Sequence, residues 1–182
     1  MASTTQQSQQ PVGSCQVTGP DGSAQWDPTY VDAWIGLLQT HRQLTRELDA
    51  RLEAAHGLSL SGLELLARLA ATSEQWLRLS ILANRTGLSL SRVSRIVDSL
   101  EGRGLVERRH CPADARAVNA HLTQSGAELL GAAEQTHRAT VQQLFFDHLG
   151  LGEVETLAAV FGRFAPGAAG ACAGDGAVSS SR

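Results

Sequence analysis

The stretch LANRTGLSLSRVSRIVDSL, residues 82–100, constrains the fold of this chain more than any other segment. Apolar residues recur at helical spacing on both sides of Gly87, and a glycine in the left-handed conformation can end a helix and allow a tight turn. Ala83 is small enough for two helices to cross closely, and Val93 supplies an apolar side chain at the crossing. We therefore predict two short helices joined by a tight turn, with Ser89 or Ser91 capping the second.

The second predicted helix has two different faces. Its apolar face is formed by Val93, Ile96, Val97 and Leu100. Its other face carries hydroxyl and guanidinium groups, from Ser91, Arg92, Ser94, Arg95 and Ser99. When such a helix enters the major groove of DNA, its N-terminal residues reach the base edges, where Arg can bond guanine and Ser a base or a phosphate. The pattern favours a helix that contacts DNA; the alternative is an ordinary helical hairpin whose polar face is solvated.

The charge of the chain is unevenly distributed. Between Arg78 and Arg116 eight Arg residues stand against four acidic residues, a local balance of +4, whereas the rest of the chain has seven Arg and fourteen acidic residues, a balance of −7. The net charge of −3 argues against a generally basic protein. Positive charge concentrated in one segment nevertheless indicates a localised contact with a polyanion.

The periodicity around this segment predicts the order helix, helix, helix–turn–helix, two-stranded ribbon, long helix, helix. Ser61 with Glu64 predicts a capping box at the start of the second helix, and Thr123 predicts an N-cap for the long helix after the ribbon. The strands LVERR and AVNAHLT are separated by HCPADAR, which predicts a hairpin with a long tip.

The two ends of the chain differ from its centre in composition. Residues 1–27 and 165–182 are rich in Gln, Ser, Gly or Pro without periodicity, which predicts disordered tails around one folded domain at 28–164. The N-terminus lacks the pattern of a secretory signal, and the scattered Cys15, Cys111 and Cys172 form no disulfide framework. We therefore expect a cytoplasmic protein.

The run from Arg78 to Leu130 resembles the core of the MarR family of winged-helix transcriptional regulators. The motifs that carry the resemblance are LANRTGLS, SRIVDSLEGRGLVER, the D-x-R of residues 114–116, and LTQSG leading into a long helix. The element order extends it to about residues 30–164. The resemblance implies a mainly α fold, with a winged helix-turn-helix at 60–123, a two- to three-stranded β wing, and dimerisation helices at 30–56 and 124–164.

The resemblance also implies roles for the predicted wing. In that family the D-x-R arginine enters the minor groove and its aspartate helps hold it, roles that fall here to Arg116 and Asp114. A narrow minor groove concentrates negative potential, which favours an inserted Arg. Asp114 could instead simply favour the turn after Pro112. Many family members have another basic residue after this arginine, where this chain has Ala117, so its wing is expected to make fewer phosphate contacts.

Together these observations predict a homodimeric regulator that binds double-stranded DNA, probing the major groove with the helix near Ser89 and the minor groove with the wing. We expect a repressor of pseudopalindromic operators that an effector releases. Four phenylalanines near the C-terminal end would leave an apolar patch on a monomer, which favours a dimer. The predicted DNA contacts are Arg85, Thr86, Ser89, Ser91, Arg92, Ser94, Arg95, Arg108, Asp114 and Arg116.

Other functions are weighed against this prediction. A winged-helix module that binds protein instead of DNA typically has acidic or apolar residues in place of Arg92 and Arg95. No catalytic triad, phosphate-binding loop or paired carboxylate stands out, so we expect no enzyme, and we expect no cofactor and no metal site. Trp34, His41 and His137 either line an effector cleft or lie at an interface. Cys111 beside Arg109 and His110 is either a redox-sensitive thiol or incidental.

Overall fold

The computed structural model describes residues 15–111 and 114–164, and between residues 110 and 117 it describes the backbone alone. The chain divides into two compact units, one ending at Gln43 and one beginning at Leu44, so that the boundary lies within the first helix, α1 (Pro28–His56).

The first unit contains a small hairpin that was not expected from the sequence. Strands β1 (Gln16–Thr18) and β2 (Ala24–Trp26) pair in antiparallel fashion. The carboxylate of Asp21 accepts hydrogen bonds in the turn from the Ser23 backbone N–H over 3.0 Å and from its hydroxyl over 2.6 Å. These bonds lower the pKa of Asp21. The prediction of disorder before residue 28 is therefore wrong for residues 15–27, whereas residues 1–14 lie outside the described residues.

Helix α1 begins and ends with local signals. The Asp27 carboxylate accepts from the Thr29 backbone N–H over 2.8 Å, as an N-cap does, and Gly57 ends the helix with a φ of 60°. In the second unit the helix buries Leu48 and Leu52. The predicted helix at 30–56 is present with nearly the bounds expected.

Helix α2 (Leu60–Ala70) starts two residues earlier than predicted. The cap is Ser59, whose hydroxyl accepts from the Gly62 backbone N–H over 3.1 Å. The capping box expected of Ser61 and Glu64 is wrong because Ser61 already lies inside the helix, and Glu64 pairs with Arg68. Two serines two residues apart both precede an apolar run, so the sequence pattern alone did not distinguish them.

Helices α3 (Leu79–Thr86) and α4 (Leu90–Gly102) form the helix–turn–helix. Gly87 has a φ of 67°, the left-handed conformation that the turn requires. Ser89 caps α4 and accepts from the Arg92 backbone N–H over 3.3 Å. Both features confirm the predictions made from the sequence.

The sheet has three strands in the order β3-β5-β4, all antiparallel: β3 (Trp76–Arg78), β4 (Val106–Cys111) and β5 (Asp114–Leu122). The predicted long tip is wrong, since β4 reaches Cys111 and β5 begins at Asp114. The backbone pairing of β4 and β5 continues past Arg109, with His110 opposite Val118. The sequence did not indicate this because polar and apolar residues do not alternate in that segment.

Helix α5 (Gln124–Leu144) is followed by a 3-10 turn (Phe146–His148) and helix α6 (Leu151–Phe164). Thr123 caps α5 as predicted and accepts from the Gly126 backbone N–H over 3.0 Å. Gly126 packs so closely that an added Cβ would lie 2.1 Å from the carbonyl oxygen of Leu105. Position 126 therefore admits only glycine without a shift of the backbone.

One hydrophobic cluster holds the second unit together. Every helix from α1 to α5 and the inner face of the sheet contribute to it. Its most buried members include Leu52, Leu65, Leu69, Leu82, Val93, Val97 and Ala120. In the part of the chain that the structure describes, no helix is both long enough and apolar enough to cross a membrane.

Candidate nucleic-acid interface

Burial of one side of α4 determines which side chains of this helix face outward. Val93, Val97 and Leu100 are buried in the core. With 3.6 residues per turn, this burial directs Ser91, Arg92 and Arg95 to the opposite side, where all three are exposed. The N-terminal half of α4 therefore presents one hydroxyl and two guanidinium groups to solvent.

The acidic side chains of the basic segment, between residues 78 and 116, are paired where the structure describes them. Asp98 lies 2.7 Å from Nη2 of Arg108, and Glu101 lies 3.6 Å from Nε of the same side chain. Glu107 pairs with Arg109 over 2.8 Å. Each acidic side chain that the structure describes between residues 78 and 116 is thus neutralised by Arg108 or Arg109.

Three arginines of this segment are left with uncompensated charge. Arg85 at the end of α3 and Arg92 and Arg95 on α4 are exposed, and their side chains make no hydrogen bond or ion pair with the side chains described in residues 15–109 and 118–164. An exposed guanidinium is a donor of five N–H groups that fits phosphate and base edges. The positive end of the α4 dipole adds to the same potential. The structure thus leaves three of the predicted contact residues exposed, two of which, Arg92 and Arg95, lie about one turn apart on α4.

The hydroxyl groups of the predicted set have internal roles. Thr86 donates to the carbonyl of Leu82 over 2.8 Å, and Ser89 caps α4. Ser94 is half-buried and its Oγ accepts from Nη2 of Arg108 over 3.1 Å. Among the predicted hydroxyl residues, Ser91 is exposed and lies 3.2 Å from the Ser89 hydroxyl. The predicted contact residues on α3 and α4 are therefore of two kinds: exposed side chains that are available to a partner, and hydroxyl groups that stabilise the helices.

Arg108 lies on the inner side of the sheet. In the register of the sheet it lies opposite Ala120, which in turn pairs with Leu77, and both of these are buried. Its side chain is only 24% exposed, and Nη2 also donates to the backbone carbonyl of Ser94 over 2.8 Å. This geometry disagrees with a direct DNA contact for Arg108 and assigns it to the packing of β4 on α4. Strand alternation with the apolar Val106 two residues earlier is the sequence signal for this orientation.

The outer face of the sheet carries a stacked pair of rings. The Trp76 indole and the His121 imidazole lie 5.7 Å apart between centroids with an angle of 23° between their planes. Burial lowers the pKa of His121, Arg109 lowers it further, and Glu107 and Glu74 oppose the shift. His121 is therefore biased toward its neutral form.

The predicted contacts at the tip of the wing lie outside the residues whose side chains are described. Asp114 and Arg116 belong to the backbone of β5, and Cys111 ends β4. Their side-chain positions therefore remain predictions, as does any role of the Cys111 thiol.

An open cleft of about 270 Å³ lies beside α4 in the second unit. Its polar side includes Arg92, Arg95 and Arg103 with Glu53, and Leu58, Ile96 and Leu100 are among its apolar lining. Arg103 donates to the backbone carbonyls of His56 and Gly57, at the end of α1. The sequence analysis did not single out Arg103, because nothing in its local pattern indicates a partner more than forty residues away.

His, Cys, Asp and Glu are the side chains that most often bind metal ions in proteins. Among the residues that the structure describes, no three of these side chains come close enough together to hold a metal ion. Trp34 is exposed in the first unit, and His137 is half-buried on α5, where burial lowers its pKa.

The order of helices with the three-stranded sheet beside α4 defines the class of this protein as a winged helix-turn-helix protein. Comparison with known proteins agrees. A family model described as MarR family matches residues 58–118. AbsC, a MarR family transcriptional regulator from Streptomyces coelicolor, superposes with a TM-score of 0.71 at 30% identity, over 81% of this chain and 99% of AbsC. This chain belongs to the MarR family of transcriptional regulators, as the sequence motifs predicted.

Two further relatives support this assignment. Sco3205, a MarR family transcriptional regulator from Streptomyces coelicolor solved in complex with DNA, has a TM-score of 0.72 at 29% identity, over 79% of this chain and 93% of its own. An uncharacterised HTH-type transcriptional regulator of Bacillus subtilis, YdgJ, is 28% identical over 101 residues. That match spans 56% of this chain and 60% of YdgJ, which is less than two thirds of that relative's length. Membership of a family of regulators agrees with the expectation that the chain is no enzyme.

Proposed function

We propose that this chain is a sequence-specific regulator that binds double-stranded DNA by inserting α4 into the major groove. The observation that carries the proposal is the exposure of three arginines, Arg85, Arg92 and Arg95, which have no partner in the described part of the chain, whereas the acidic side chains described between residues 78 and 116 are paired. Leaving like charges together costs free energy in the free protein, and a phosphate-rich partner relieves it. The relative solved in complex with DNA supports the proposal.

The proposed contacts are divided by their exposure. Arg92 and Arg95, near the start of α4, reach base edges, and Arg85 and Ser91 bind phosphate or base. Ser89 and Thr86 serve mainly to hold the ends of the helices in place. Arg116, held by Asp114, enters the adjacent minor groove. Because such an arginine responds to groove width, Arg116→Ala should weaken binding with little dependence on the major-groove sequence.

The proposed regulator is a homodimer. Helix α6 has no buried residue, and its apolar side chains include Leu151 at 78% and Phe164 at 82% exposure. In the first unit, Trp34, Ile35 and Leu37 of α1 are also exposed. Apolar faces of this kind favour burial against a second copy. A two-fold dimer places two α4 helices about one DNA turn apart, so the operator is pseudopalindromic.

The dimer is tested by sedimentation of the full chain. The wild type should sediment as a dimer across micromolar concentrations, and Phe161→Glu with Leu151→Glu should shift it toward a monomer. A wild-type chain that sediments as a monomer at every concentration would contradict this part of the proposal.

We further propose that the chain represses transcription and that a small acidic ligand releases it from DNA. The cleft beside α4 supports this proposal, since it combines apolar lining with Arg92, Arg95 and Arg103, three cations against the single carboxylate of Glu53. An aromatic carboxylate bound there would engage two arginines that are proposed to contact DNA. Titration of a panel of aromatic carboxylates into the protein–DNA complex tests it. We expect the ligand to release the protein from DNA, and we expect Arg103→Ala to weaken this release. If the variant is released as readily as the wild type, the proposed ligand site is contradicted.

The central experiment is selection of binding sites by the full-length chain from a randomised DNA duplex pool, together with titration of the DNA upstream of its own gene at two salt concentrations. We expect enrichment of a two-fold symmetric sequence that binds tightly in the presence of competitor DNA. Binding without enrichment, with the same affinity for every sequence, would contradict the proposal.

A further inference from the structure

Arg108 joins the base of the wing to the helix proposed to read DNA. Its guanidinium Nη2 lies 2.8 Å from the carbonyl oxygen of Ser94, 3.1 Å from the Ser94 hydroxyl and 2.7 Å from Oδ1 of Asp98. Its backbone N–H also donates to Oε1 of Glu101 over 3.0 Å. One residue of β4 therefore binds three residues of α4 that lie on the same side of the helix, three to four positions apart.

We infer that Arg108 is a positioning residue for DNA recognition, which fixes the orientation of Ser94 and holds the wing to α4, and that it makes no contact with phosphate itself. The inference rests on the proposed function. Because β4 continues into the wing, and Arg92 and Arg95 lie on α4, this contact relates the two DNA-binding elements to each other. Losing it leaves every proposed DNA contact in the chain but removes their common alignment.

The bond to Ser94 has a consequence for what this serine can recognise. A hydroxyl has one hydrogen and two acceptor lone pairs. Since Arg108 donates to the Ser94 oxygen, the hydroxyl hydrogen is directed away from Arg108. Ser94 then keeps one hydrogen, which can be donated to a phosphate oxygen or to an acceptor on a base edge, and one free lone pair.

The ion pair with Asp98 distinguishes a positioning role of Arg108 from a phosphate contact, because the two roles predict opposite changes in DNA affinity when Asp98 is replaced. If Asp98 acted only through its charge, its removal near DNA would tighten binding, because a negative charge repels phosphate. If Asp98 acts by holding Arg108, its removal weakens binding. Asp98→Asn is close in shape to the native side chain and so preserves the packing of α4.

The test measures the affinity of full-length variants for a duplex enriched by the wild-type chain from a randomised pool, over a series of salt concentrations. We expect Arg108→Met and Asp98→Asn each to weaken binding about tenfold or more. The double variant should be no weaker than the worse single variant, because both changes remove one contact. The slope of log affinity against log salt should stay that of the wild type.

Arg108→Lys separates the two roles further. A lysine preserves the charge that a phosphate contact needs, but its side chain ends one bond short of the Nη2 atom that contacts Ser94 and Asp98. We therefore expect Arg108→Lys to bind nearly as weakly as Arg108→Met. The matched controls are Arg68→Met and Glu64→Gln, which remove an ion pair of 3.4 Å on α2 and should leave the affinity within about twofold of wild type.

The inference is overturned if Arg108→Met lowers the salt slope by about one phosphate contact and Asp98→Asn tightens binding. Unchanged affinity in both variants also overturns it. If Arg108→Met fails to fold, as judged by its circular dichroism, the sign of the Asp98→Asn effect decides alone. A wild-type chain that enriches no sequence contradicts the proposed function itself, a result that is distinct from any difference between variants.

Discussion

Arg103 donates from Nη2 to the backbone carbonyl of His56 over 2.9 Å, so that the C-terminal end of α4 closes the C-terminal end of α1. The last carbonyls of a helix have no partner within the helix and carry the negative end of its dipole. A guanidinium there donates hydrogen bonds to the carbonyls and also interacts favourably with the dipole. The His56 ring in turn lies 2.8 Å from the Thr136 hydroxyl of α5. Three helices of the second unit are thus joined at the end of α1.

We expect Arg103→Ala to lower the free energy of unfolding by about 1–2 kcal/mol, because two carbonyls lose a charged donor. Urea denaturation of the full chain measures this change. Arg46→Ala serves as a control, since Arg46 is 77% exposed and lies 3.8 Å from Glu47. A loss for Arg103→Ala no larger than for Arg46→Ala would show that the helix ends do not depend on this contact.

Arg92→Ala and Arg95→Ala should each cost about 1–3 kcal/mol of binding free energy on the enriched duplex and should relax sequence preference at the contacted base pair. Both side chains are exposed and unpaired in the described chain, so folding stability should hardly change. Fluorescence anisotropy with single-base variants of the duplex measures the effect. Arg138→Ala on α5, which loses only a pair with Glu134, should bind like wild type. Equal losses for all three variants would indicate a nonspecific charge effect.

Gly126→Ala should destabilise the protein by about 1–3 kcal/mol, because the added Cβ would lie 2.1 Å from the Leu105 carbonyl oxygen and the backbone must shift. Gly131→Ala on the same helix is the matched control. It has nothing within 4 Å of its added Cβ and should be neutral or stabilising by up to about 1 kcal/mol. Thermal unfolding of the two variants compares them directly, and equal melting temperatures would contradict the close approach.

The stability of the protein should fall as the pH drops below about 6.5. The folded-state pKa of His121 lies below its usual value of 6.5, chiefly because of burial, so the unfolded chain takes up the proton first. The stabilising contribution is complete above the unfolded pKa and is lost as the pH falls through the folded pKa. His137, also lowered by burial, acts in the same direction.

Urea midpoints at about pH 7.5 and about pH 5.5 test this dependence. His121→Gln with His137→Gln should make the midpoint vary less between the two values than it does in the wild type. His41→Gln is the control, since His41 is exposed and lies in the first unit. If the urea midpoint of the double variant changes as much between the two pH values as that of the wild type, other titratable groups cause the pH dependence.

Local signals predicted much of the fold. Gly87, Ser89 and Thr123 all act where their sequence context indicated, because turns and caps depend on bonds between residues two to four positions apart. The apolar stripe of α4 likewise identified Arg92 and Arg95 as outward-facing. The capping serine of α2 was misplaced because two candidates satisfied the same local rule.

Contacts between distant segments were beyond such signals. The alternation with Val106 indicates that Arg108 points inward, but its partners Asp98 and Ser94 follow only from the packing of β4 on α4. Arg103 finds its carbonyl partners only because the end of α1 packs beside α4. The hairpin at 16–26 was missed since its strands are three residues long and lack a clear alternating pattern.

The sequence by itself determined the helix–turn–helix, the order of the elements, the family and the exposed arginines, because periodicity, caps and charge are properties of neighbouring residues. The tertiary structure alone decided which of the arginines are available to a partner. Ion pairing is a matter of distance in space, and the packing of β4 on α4 brings Arg108 within 2.7 Å of Asp98, whereas Arg92 and Arg95 are left unpaired in the described chain.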